Sequence, residues 1–167
     1  VITKTGGTYS INEIECKPSI GACSYADTNN ATTAITANNQ LIIRNQSKTL
    51  VSATNLVGNK HATIRSCNVL INANTYDMAV NETSASVNNI VIDSASNVTA
   101  TLTVTDSRGI KATQNFNIQM LDWIKPSAIV NLHRQQNFYS ESDIIVNAEY
   151  SSIDNKNTIE IKARYKK

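Results

Sequence analysis

A chain of 167 residues with 41% hydrophobic and only 17% charged side chains can bury one generous core, but it must solvate its surface with uncharged polar groups. Its 22 Asn, 18 Thr and 16 Ser are the usage of short strands joined by polar turns, and they leave few helix formers in any run. A dispersed net charge of +2 excludes the electrostatic footprint of a nucleic-acid binder, and no apolar run nears the ~18 residues of a membrane-spanning helix.

Residues 1–15 contain TYSINEIE, which alternates well enough for a strand behind Gly6 and Gly7. It reads as an edge strand of the main domain or as the end of a preceding unit. The N-terminus has no signal-peptide pattern and does not begin with Met, so Val1 is expected to be an internal or processed end of a longer polypeptide.

The main domain is expected over residues 16–121, with strands at Ile20–Tyr25, Gln40–Arg44, Lys48–Ala53, Ala62–Ile71, Ser86–Ile92, Asn97–Thr105 and Ile110–Met120. Seven short runs separated by Asn, Asp, Ser and Gly clusters favour a β-sandwich, with no helix beyond a turn. The core candidates are Ile42, Leu50, Ile64, Val69, Ile71, Ile90, Val98, Leu102, Val104, Phe116 and Ile118. Cys16 and Cys23 have the spacing for a small loop disulfide, and Cys67 reads as a buried small apolar residue. Three free thiols in a reducing compartment are the simpler expectation.

The clearest local signal runs from Leu102 to Ile118. Val98, Ala100, Leu102 and Val104 point one way and Thr99, Thr101, Thr103 and Thr105 the other, and the alternation resumes after Ile110. Between them Asp106, Ser107, Arg108 and Gly109 form a structural turn. Asp106 accepts backbone hydrogen bonds at its start, and Gly109 takes the positive φ that closes such hairpins.

Residues 122–167 read as a linker and a further strand set. Pro126 lacks an amide donor and turns Lys125 away from helical geometry, so Trp123 and Pro126 mark an interdomain joint. Strands are expected at Ile129–His133, Asp143–Tyr150 and Thr158–Lys166, about half of a sandwich, with an open face that calls for a neighbour or a continuation. Lys162, Arg164, Lys166 and Lys167 alternate with Ile161, Ala163 and Tyr165, which makes one polar strand face rather than a site for an anionic polymer.

No motif points to catalysis. His61 and His133 lack partners at metal-ligand spacing, and no phosphate-binding loop or serine-nucleophile motif occurs. The turns Asp27–Asn30 and Asp154–Asn157 each hold a single carboxylate, too few for calcium. Acidic residues are few and spread out and show no carboxylate pair for glycoside hydrolysis, while pairing across strands, invisible in sequence, leaves Asp77, Glu82 and Asp93 open as one. Four glycosylation sequons, at Asn30, Asn45, Asn81 and Asn97, match what so many Asn, Ser and Thr give by chance. The expectation is therefore no enzyme, no cofactor and no metal, with Tyr25, Tyr76, Tyr139 and Trp123 as the aromatics available for stacking on a ligand.

The wording VTDSRG, followed by an alternating strand, an aromatic and a proline, resembles the immunoglobulin-like modules of siphophage tail and minor structural proteins. PSIGACSYADTN, TAITANNQLIIRNQSK and ATIRSCNVLIN read as opening strands of such a module, and WIKPSAIVNLHRQ with YSSIDNKNTIEIKARYKK as the start of the next. The resemblance covers Pro18 to Lys167. It implies an all-β chain of immunoglobulin-like β-sandwich modules in tandem, one complete and at least one partial. It further implies a structural role in a bacteriophage tail, as spacer, decoration or tail-tip module supporting host adsorption, without enzymatic activity. The implied partners are other tail proteins and copies of itself, with host cell-wall glycan as a further partner, in a virion assembled in the bacterial cytoplasm. The Cys, Trp, Cys pattern of antibody domains is absent. The alternative is a glycan- or cell-wall-binding adhesin module of a phage or bacterial surface.

Overall fold

A computed structural model describes residues 16–134, 142–162 and 164 of the chain. The strand expected in residues 1–15 and the candidate Tyr139 lie outside them. Nine elements build the first part: β1 (Ala22–Asp27), α1 (Asn30–Thr36), β2 (Leu41–Ile43), β3 (Thr49–Thr54), β4 (Ile64–Ile71), β5 (Asn74–Asn81), β6 (Ser84–Ile90), β7 (Val98–Asp106) and β8 (Lys111–Leu121). Two more, β9 (Ser127–Arg134) and β10 (Ser142–Glu149), form a separate two-stranded ribbon. Apart from one short helix, the described chain is all-β.

The large sheet has the order β1-β3-β6-β5-β4-β7-β8-β2. Every pairing is antiparallel except β2 with β8, where Leu41, Ile42 and Ile43 run parallel to Gln119, Met120 and Leu121. The sheet curls until its ends meet. The Tyr25 ring on β1 stacks on Phe116 of β8, and its hydroxyl accepts the Gln119 N–H at 3.0 Å.

The curled sheet encloses its apolar face. Alternation puts Val51 and Ala53 of β3, Cys67, Val69 and Ile71 of β4, and Ala100, Leu102 and Val104 of β7 in one buried cluster with Ile42 and Ile118. Each large aliphatic side chain buried this way contributes roughly 1.5–3 kcal/mol. Opposite Leu50, β6 carries one extra residue, because Thr49 pairs with Ile90 but Val51 pairs with Val87. Asn89, at φ +61, takes up the bulge, so Val87 and Ile90 face the same side although three apart.

Several sequence expectations are corrected. Leu50 is only half-buried, and Thr49, Val51 and Ala53 hold the inward face of β3. One residue of register decides the matter, because the side-chain period is two. Ile64 and Phe116 are also only half-buried, packed against the core cluster. The strand β5 was not expected, since Asn74, Asp77 and Asn81 mask the alternation of Tyr76, Met78 and Val80. It joins β4 through Asn72 and Ala73, both left-handed at φ +46 and +63, as a tight hairpin requires.

The helix α1 was not expected either. Its threonines are poor helix formers, but Asn29 caps it by accepting the Ala31 N–H at 3.1 Å, and Thr32 and Thr36 bury one face. Towards the C-terminus, the strand expected at Thr158–Lys166 does not form over the described residues 158–162 and 164.

Candidate functional site

The β7–β8 turn is built around Asp106, whose side chain is wholly buried. Its carboxylate accepts the backbone N–H groups of Arg108 and Ile110, each at 2.9 Å, and Nε and Nη2 of Arg108 at 3.0 and 2.6 Å. Burial works against the charged form, but the guanidinium and the two backbone donors outweigh it and hold the carboxyl below its ordinary value. Gly109 sits at φ +86, and Ser107 donates its N–H to Thr63 O at 2.8 Å. Arg108 also donates from Nη2 to Cys16 O at 2.8 Å. The turn therefore ties the incoming chain to the sheet, and its charged groups face each other.

A second polar cluster escaped sequence reading. Asp27, buried at the end of β1, accepts the Thr32 hydroxyl at 2.5 Å, the Ser47 hydroxyl at 2.7 Å, and the N–H groups of Asn29 and Lys48 at 2.9 and 3.1 Å. Its two oxygens thus join β1, α1 and the turn before β3. The only signal in sequence was a lone Asp among Asn and Thr, which fits any turn.

Among the described residues, the candidate aromatics Tyr25, Tyr76 and Trp123 do not converge. Tyr25 spends its ring on Phe116 and its hydroxyl on Gln119. Tyr76, half-buried on β5, lines a small cleft of about 190 Å³ with Asn72, Asn74, Val91 and Asp93. Trp123 is half-buried and Pro126 exposed, both in the joint between β8 and β9.

The acids stand apart as well. Asp77 lies within β5, Glu82 in the following turn and Asp93 after β6. Arg44 donates from Nε to Asp93 at 2.6 Å and from Nη1 to Asp122 at 3.2 Å, and these contacts lower the Asp93 carboxyl and raise the guanidinium. Among the described residues, no three His, Cys, Asp or Glu side chains gather in a group able to hold a metal ion. Cys16, Cys23 and Cys67 are free thiols, and burial pushes Cys67 up to about 11. No helix of the described residues is long and apolar enough to cross a membrane.

The β9–β10 ribbon exposes five large aliphatic side chains, Ile129, Val130, Leu132, Ile144 and Ile145. Its register puts Ala128, Val130, Leu132, Ile144, Val146 and Ala148 on one face, while Asn131, His133, Asp143, Asn147 and Glu149 share the other with Ile129 and Ile145. Val130 is 63%, Leu132 72% and Ile144 55% exposed. Between that apolar face and Ile159 and Ile161 lies a groove of about 460 Å³, edged by Glu160, Lys162 and Arg164.

Comparison with family models, with curated proteins and with solved structures found no match to this chain.

Proposed function

We propose that the chain is a structural component of a bacteriophage tail, built from immunoglobulin-like sandwiches in tandem and serving as spacer, decoration or tip module. The strand order carries the reading. With β1, β3, β6 and β5 taken as strands A, B, E and D, and β4, β7 and β8 as C, F and G, the strand order resembles the two strand sets of an immunoglobulin constant-type sandwich, joined here into one curled sheet by the β4–β5 pairing, with β2 added beside G.

An internal echo supports the tandem arrangement. Lys17-Pro18-Ser19 returns as Lys125-Pro126-Ser127, Asn59-Lys60 as Asn155-Lys156, and Thr63-Ile64 as Thr158-Ile159. The ribbon repeats the antiparallel pairing of β1 with β3, so its apolar face corresponds to the buried face of the first unit. The partner for that face is further β-structure of the same kind, from the tail assembly. The carboxylates of Asp27 and Asp106 are engaged in holding the fold, which fits a role without catalysis. Mass spectrometry of purified tails, with antibody labelling under the electron microscope, tests this reading. Particles that lack the chain would overturn it.

A second reading, glycan binding, draws on the cleft beside Tyr76. There an aromatic ring, two amides and the Asp93 carboxylate offer stacking and hydrogen bonds to one sugar ring. Titration of the chain with solubilised cell-wall glycan, followed by amide NMR, separates the two, because a spacer shows no saturable shifts at Tyr76.

A further inference from the structure

The helix α1 ends without a basic residue in its last turn. A helix leaves its final carbonyls unpaired and its C-terminal end partly negative, so that end favours a cation. Ala37, left-handed at φ 52, turns the chain away and returns its own N–H to Thr33 O. The Thr36 carbonyl accepts instead from Lys156 Nζ, 120 residues later in sequence and beyond the joint.

Lys156 is held in a shaped turn. Ile153, Asp154 and Asn155 are all left-handed, at φ 48, 55 and 61, which is costly for a β-branched residue and persists only where the surroundings impose it. Ile153 is buried, and Asn157 ties the turn back through its N–H to Ser152 O and its Nδ2 to Ser151 O. Ser151 in turn accepts the Ile124 N–H at 2.7 Å with its hydroxyl, in the joint itself. The turn is thus tied to the joint by one contact and to the end of α1 by the other.

We propose that α1 and the 151–157 turn form an electrostatic latch, in which Lys156 caps the helix and holds the ribbon unit at one fixed angle to the large sheet. The helix is then an orienting post rather than a filler of the loop between β1 and β2. The inference rests on the tandem reading only in treating the two parts as consecutive units. Its failure leaves the particle-composition test untouched.

The corresponding turn of the first unit gives the control. Asn59 Nδ2 donates to Lys17 O at 2.6 Å in the entering chain, while the neighbouring Lys60 is exposed and left-handed at φ 54. Relaxation of backbone 15N in the full chain reads the latch directly. The wild type and Lys60→Glu are expected to show one tumbling time for β1–β8 and β9–β10, and Lys156→Arg to retain it. Lys156→Met and Lys156→Glu are expected to lose it, the ribbon amides tumbling faster while the amide spectrum of the large sheet stays folded. A common tumbling time in Lys156→Met, or separate times in the wild type, would overturn the proposal.

Discussion

The ring of Tyr25 stacks on that of Phe116 with centroids 6.5 Å apart and planes inclined by 22°, which brings the first strand of the sheet against β8. No backbone pairing joins β1 to β8, so these side chains help to close the curl. Tyr25→Leu and Phe116→Leu should each destabilise the chain, with a coupling between them of about 0.5–1.5 kcal/mol. Tyr25→Phe should cost about 1 kcal/mol, because the Gln119 N–H loses its acceptor. Chemical denaturation of the single and double variants checks both, and additive losses would refute the closure role.

Asp27 holds three segments with one carboxylate. Asp27→Asn keeps one acceptor oxygen but puts a donor where Thr32, Ser47 or a backbone N–H now donates, and should cost about 2 kcal/mol. Amide hydrogen exchange should show α1 losing protection first, ahead of β3. Uniform loss across the sheet would mean that the cluster does not anchor the helix.

Acid should reveal Asp106. Its folded-state carboxyl lies below the ordinary 3.8, so the stability it supplies is fully present above that value and is lost as pH falls through the lower folded value. Replacing Arg108 by Met removes the main opposing charge. The variant should therefore begin its acid unfolding at higher pH than the wild type, as followed by circular dichroism between about pH 5 and 2. Coincident acid transitions would contradict this account.

Two glycines separate two kinds of constraint. A Cβ at Gly109 meets nothing within 4 Å but must adopt φ +86, whereas one at Gly58 would stand 2.1 Å from the Ala62 carbonyl oxygen. Gly109→Ala should cost about 1 kcal/mol. Gly58→Ala should cost more, about 2–3 kcal/mol, because backbone has to move. Thermal melts of the two variants suffice, and the reverse order would refute the assignment.

The ribbon's apolar face should bind a hydrophobic dye. Val130→Ser with Leu132→Ser should reduce fluorescence enhancement without lowering the melting temperature of the large sheet, since both side chains are already in solvent. Ile129→Ser, on the opposite face, should reduce it less.

The β7–β8 hairpin was legible because each strand has one apolar and one polar face, and its turn residues act on their immediate neighbours. The inward residue of β3 is not legible in sequence because Leu50 and Val51 are equally apolar, and only the pairing with the bulged β6 selects between them. The strand β5 and the helix α1 were hidden for the same reason. Their local composition is poor for what they form, and contacts from elsewhere override it, Thr32 with Asp27 being the case in point. The Asp27 cluster joins residues up to 21 positions apart, and the Lys156 contact spans 120, so neither has a local signature.

The short parallel pairing of β2 with β8 has a consequence for tension along the chain. Once β1 has left β3, pulling at the two flanks of the first unit draws β2 from its N-terminal side and β8 from its C-terminal side, in opposite directions along parallel strands. Their hydrogen bonds are then sheared together rather than unzipped one at a time, so three residues on each strand act as a mechanical clamp.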